Sequence, residues 1–164
     1  MTARTLLALP IAIAALTPLV AQQAAPSKTA RPAHASAPIF KPAADLNWSD
    51  LDPNGAPGVK IADLWGDHAK GAFGAFLKLP AGFAAPLHTH THDMKVVIVS
   101  GTYLQAPAGK AEVRLGPGSY MLQPGGNYQH TTSCDKSADC VFFVESSGAF
   151  DLKPVAAGTA PAKK

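Results

Sequence analysis

Several kinds of feature are scarce or missing in this chain of 164 residues, and each shortage removes a class of function. No glycine-rich phosphate loop, nucleophile elbow or dinucleotide fingerprint occurs. Phosphoryl transfer, serine hydrolysis and hydride transfer from a nicotinamide therefore have no support. Charge is sparse, at 15% Asp, Glu, Lys and Arg, and its placement matters more than its +3 sum. All the acidic residues fall between Asp45 and Asp151, whereas Lys28, Arg31, Lys41, Lys153, Lys163 and Lys164 sit in or beside the ends. The middle of the chain is acidic and lacks the basic patch with interleaved aromatics that nucleic-acid binding requires. Residues 45–153 hold no segment both long and periodic enough for a major helix.

Cysteine is confined to Cys134 and Cys140. In an exported chain a lone close pair is most economically a disulfide, here closing a loop that begins at Asp135 and ends at Asp139; metal ligation and two free thiols are the alternatives. Export is expected from the N-terminus, where Arg4 precedes an apolar run over residues 6–20 followed by Ala21, the pattern of a secretory signal. That run is short for a membrane span and is broken by Pro10 and Pro18. With no cysteine near its end, a lipid attached there is excluded. The expected organisation is a signal over residues 1–21, a flexible Ala/Pro-rich leader over 22–44, one domain over 45–153 and a flexible tail over 154–164, in the periplasm or outside the cell.

What is present is short apolar runs and turns. Residues 59–65, 72–79, 87–92, 94–100, 111–115, 119–123, 128–132 and 141–145 read as strands, and glycine and proline punctuate them at Pro80, Gly82, Gly101, Gly109, Gly116, Gly118, Pro124 and Gly148. Many short strands at regular spacing indicate an all-β sandwich or barrel, and a small barrel holds side chains or one small ligand. Trp48, Trp65, Phe73, Phe76, Phe142 and Phe143 are expected in the core and barrel lining. His88, His90 and His92 alternate, and an extended chain sends alternate side chains to one face, so three imidazoles can converge there. A solvent-exposed loop with adventitious metal affinity is the plainer reading of the same residues. His34 and His68 read as surface residues.

The run from Gly82 through His88, Thr89 and His90 to Gly101 resembles the first motif of the cupins: a glycine, His-x-His, a further ligand and a closing glycine. The run from Gly118 through Pro124, Gly125 and Gly126 to His130 resembles the second, with one extra residue before its histidine. The flanking text Asp63-Leu64-Trp65-Gly66-Asp67 and Cys140-Val141-Phe142-Phe143-Val144 is similar to small single-domain bacterial cupins of the DUF4437-like group. The resemblance implies a double-stranded β-helix, the cupin jelly-roll barrel, holding a divalent metal ion (Fe, Ni, Zn, Cu or Mn) on His88, His90 and His130.

Where cupins usually carry glutamate after His-x-His, this chain offers Met94 or Lys95, depending on the gap counted. Three arrangements follow. His92 or Asp93 supplies a fourth ligand; or three histidines leave open positions, as in the cupin dioxygenases of thiols and diketones; or Lys95 serves as acid, base or anchor for an anionic group. The second is preferred, with His92 optional. The functional expectation is a metal-dependent dioxygenase-like oxidoreductase, isomerase or lyase acting on a small polar molecule with Lys95 as its catalytic group; a non-catalytic module that senses or holds a metal or small ligand at the cell envelope is the alternative. An exposed strand edge beside an apolar barrel makes a homodimer the expected assembly.

Overall fold

Two-residue periodicity decides which side chains of a strand are buried, and in β5 (Met94–Ser100) it is plain: Met94, Val96 and Ile98 face inward while Lys95, Val97 and Val99 face out. The computed structural model describes residues 38–52 and 54–156. There the strands form two antiparallel sheets. One runs β1 (Ser49–Asp50), β2 (Lys60–Gly66), β3 (Phe73–Leu79), β10 (Cys140–Ser146), β5 and β8 (Tyr120–Gln123); the other runs β11 (Lys153–Pro154), β4 (Ala84–Thr89), β9 (His130–Cys134), β6 (Tyr103–Pro107) and β7 (Val113–Leu115). From β3 onward the chain passes repeatedly from one sheet to the other, which makes a jelly roll. Phe73, Ile61, Ile98, Phe142 and Val144 pack between the sheets. Among the described residues the only helical piece is a 3-10 turn at Ala43–Asp45, and no helix is long and apolar enough to cross a membrane.

The expected all-β barrel is observed, with differences in its parts. β6 escaped the sequence reading because Gln105, buried at its centre, breaks the apolar run. The first histidine strand begins earlier than expected and stops at Thr89. The domain also reaches past residue 153: Pro154 pairs with His88, and the Val155 amide donates to the Leu87 carbonyl at 2.9 Å. On the leader side, the Lys41 ammonium donates to the Asp63 carbonyl at 3.0 Å. The expected signal, most of the leader and the end of the tail lie outside the described residues. Phe73 and Phe142 are buried as expected, but Trp65 is 48% exposed and lies with half-buried Phe76 and Phe143 on the outer face of the six-stranded sheet.

Cys134 and Cys140 form a disulfide that joins the end of β9 to the start of β10, one strand from each sheet. Beside it, Gly101 has φ 74° and lies so close to β10 that a Cβ there would sit 2.4 Å from the Asp139 carbonyl oxygen, so the turn between β5 and β6 accepts only glycine.

Candidate metal centre

β4 and β9 are neighbours, and their register sets His88 directly opposite His130. A β-bulge between Ala85 and His88 re-aims the end of β4, and His90 follows immediately after the strand. The three rings close on one another, with centroids 4.3 Å apart for His88 and His130, 4.9 Å for His88 and His90, and 5.3 Å for His90 and His130. One ring nitrogen from each lies within 4.8 Å of the other two, and all three residues are buried.

The hydrogen bonds define which nitrogens those are. His88 Nδ1 donates to the Pro86 carbonyl at 2.7 Å, His130 Nδ1 to the Tyr128 carbonyl at 3.3 Å, and His90 Nδ1 to the Asp151 carbonyl. With Nδ1 protonated, each neutral imidazole keeps its Nε2 lone pair free. His130 Nε2 is buried with no partner among the described residues. A backbone carbonyl holding the outer nitrogen and an inner lone pair left free is the arrangement of metal-binding histidines, so the trio fits a transition-metal ion. Burial holds the imidazoles neutral: desolvation lowers the His88 pKa and brings His90 and His130 down to about 4, with the neighbouring imidazoles pushing in the same direction on His90 and His130.

His92 and Lys95 stand elsewhere. Beyond Thr89 the chain bends, because the Thr91 amide and hydroxyl both donate to the Asp151 carboxylate and Asp93 accepts from the Gly125 amide at 2.7 Å. The bend takes His92 out of phase with His88 and His90; its ring packs on Gly148, where a Cβ would lie 2.3 Å from it. It is not in the cluster. Asp93, committed to Gly125, is not in it either. Lys95 points away from the barrel and pairs with Glu145 at 2.9 Å on the outer face, an exposed contact that raises its pKa and keeps it charged. The expected catalytic role for Lys95 is thus corrected: strand phase puts Met94, not Lys95, inside.

Met94 and the two imidazoles of His88 and His90 line an interior cavity of about 70 Å³. Its walls are mostly apolar, and no Asp, Glu, Lys or Arg lines it among the described residues. Tyr103, also in the wall, bonds Thr132 at 3.1 Å, and burial pushes its hydroxyl up to about 12, so it stays protonated. Two residues missed by sequence reasoning complete the centre: Asp151, 61 residues from the His90 it holds, and Phe150, whose ring lies 5.5 Å from that imidazole. A second trio, Asp63, Asp67 and His68, is partly exposed and already committed internally, His68 to Asp63 at 2.8 Å and Asp67 to Lys70 at 2.6 Å.

Residues 18–160 match the family described as "domain of unknown function (DUF4437)". No curated protein sequence matches the chain. Solved structures with a similar fold include the polyketide cyclase RemF of Streptomyces resistomycificus, with TM-score 0.60, 17% identity, and coverage of 75% of this chain and 90% of that one. An RmlC-like cupin of Shewanella frigidimarina is similar with TM-score 0.53, 18% identity and coverage of 69% and 93%. A cupin-2 domain of Rhodospirillum rubrum gives 0.56, 15%, and 77% and 86%. At these identities the likeness is one of fold.

Proposed function

This chain belongs to the DUF4437 family and has the cupin jelly roll, and from that premise we propose that it is an exported protein that binds a divalent transition-metal ion on His88, His90 and His130 and acts on a small molecule in the adjoining cavity. The observation that carries the proposal is the trio of carbonyl-held imidazoles, with the His130 Nε2 left buried and unpaired. A cation bound there would keep its full charge, since no carboxylate joins the set, and would supply Lewis-acid polarisation of a coordinated oxygen. The chain's own part is positional. The three carbonyls fix ring orientation, and the apolar wall with Phe150 limits water at the centre. Reaction class depends on the metal: a redox-active ion such as iron or copper would be needed for dioxygenase chemistry, whereas Lewis-acid action alone, as zinc would supply, suits an isomerase or lyase.

A non-catalytic metal or ligand-binding module is the second reading, favoured by one observation: the cavity wall offers no acid or base poised near neutrality, with Tyr103 near 12 and its histidines held neutral. Export is supported by the apolar N-terminal run and by the disulfide. Pairing with a second copy is supported by exposed apolar residues on the outer sheet.

Elemental analysis of the purified chain and of His88→Ala, His90→Ala, His92→Ala and His130→Ala tests the site. One metal per chain is expected in the parent and in His92→Ala, with loss in the other three. Stoichiometric metal in His130→Ala would overturn the assignment. Anaerobic reconstitution with Fe(II), followed by oxygen uptake over acids, thiols and diketones, tests the oxygenase form of the first reading: turnover supports it, and metal binding without oxygen uptake for any metal removes it.

A further inference from the structure

Gln123, at the end of β8, lines the cavity and is 2% exposed. Its Oε1 accepts from Gln105 Nε2 at 3.0 Å, a bond that ties β8 of one sheet to β6 of the other through two buried amides. That bond fixes the amide plane and leaves Gln123 Nε2 buried with no acceptor among the described residues. A buried donor without a partner carries a desolvation cost, and such groups are kept where something else satisfies them. The free group of Gln123 is a donor, which cannot ligate a metal.

The surroundings narrow what the acceptor belongs to. The wall around Gln123 is apolar, with Met94 opposite it across β5 and β8 and with Phe142 and Val144 nearby in the same lining. No Asp, Glu, Lys or Arg lines the cavity among the described residues. A wider cavity of about 700 Å³ shares Phe83, Phe150 and Leu152 with it, and the only charged residues lining that one among those described are Asp52 and Asp151. An ammonium would find no carboxylate inside the cavity among the described residues, and its mostly apolar wall suits a molecule that is itself largely apolar. The inner space has room for about half a dozen heavy atoms.

We propose that this cavity receives a small, largely apolar molecule, one oxygen of which accepts a hydrogen bond from the Gln123 amide. With Lys95 on the outer face, the ligand's specificity comes from one neutral donor in an apolar wall. Such a site rejects an analogue lacking the acceptor more sharply than one of altered shape, because the donor is then left unpaired. The inference deepens the metal-site reading and rests on it for the identity of the cavity as the reaction space.

The test uses ligand-observed NMR on zinc-loaded protein, with metal content measured on each sample. Cyclopentanone, cyclopentene and cyclopentylammonium share a ring and differ in acceptor and charge. Cyclopentanone is expected to bind best, and Gln123→Met to weaken it about tenfold while leaving cyclopentene and zinc content unchanged. Equal binding of cyclopentanone and cyclopentene by the parent, a ketone preference that survives in folded Gln123→Met, or tighter binding of the ammonium would overturn the proposal. Should Gln123→Met fail to fold, the parent comparison and Gln105→Met, which frees the amide from its anchor and should shrink the ketone preference, still decide it. A parent that shows the ketone preference but takes up no metal would sink the metal reading and leave this one standing.

Discussion

Of Met94 and Lys95, the two residues that the resemblance sets at the glutamate position, Met94 is the one that faces inward, and its side chain already reaches the wall beside His88 and His90. Met94→Glu should therefore move the metal preference toward manganese, a harder ion that takes oxygen ligands, read as the Mn:Zn ratio retained after loading with an equimolar mixture. Lys95 is one residue away and on the opposite face. Lys95→Ala breaks only an exposed ion pair, so metal content and the midpoint of urea unfolding should both be unchanged. The histidines give a pH prediction whose sign is fixed by the direction of their shifts. In the folded metal-free chain His90 and His130 titrate near 4, below the ordinary 6.5. Between those values the unfolded chain binds more protons, so acid favours unfolding. Stability of the metal-free protein should be full above about pH 6.5 and fall steadily toward pH 4, checked by urea unfolding in chelator across that range. A flat profile would mean that the imidazoles are not held neutral by burial.

At the scale of elements, the disulfide and the site sit at opposite ends of β9: His130 begins the strand and Cys134 ends it. His130 is positioned by its own neighbours, His88 across β4 and Pro107 across β6. The double variant Cys134→Ala, Cys140→Ala should thus lower unfolding free energy by about 2 kcal/mol, the closure of a short loop between the two sheets, yet retain one metal per chain; loss of metal would show that the staple orients the ligand. The same strands show what sequence makes legible. β5 could be bounded to the residue because an unbroken β-branched run, Val96-Val97-Ile98-Val99, is closed by Ser100 and Gly101, and His88, His90 and His130 stand out because the two motif spacings hold them in a recognisable frame. Asp151 could not be found that way. It holds His90 and the Thr91 bend through tertiary contacts from 60 residues away, and nothing local marks it. Gln105 and Gln123 were illegible for a related reason: a polar residue in a strand reads as solvent-facing until the opposing sheet supplies its partner.

For the whole molecule, the outer face of the six-stranded sheet departs most from what a monomer should present. Trp65, Val97, Val99, Tyr120 and Leu122 are between 38% and 60% exposed, and the register sets Tyr120 beside Val97 and Val97 beside Phe143, so the apolar residues form a continuous stripe across three strands. Large contiguous apolar surface of this kind marks an interaction site. β8 is also an edge of that sheet among the described residues and carries the exposed pair Tyr120 and Leu122. A second copy suits the stripe through a twofold axis, because the Lys95 and Glu145 beside it offer both signs of charge to their symmetry mates. The wild-type chain should sediment as a dimer, and Tyr120→Lys with Leu122→Lys should convert it to a monomer with the cavity and metal content intact, since neither side chain enters the barrel. A wild-type monomer at micromolar concentration would leave the stripe to a different partner, and a dimer that survives both lysines would place the interface on another face.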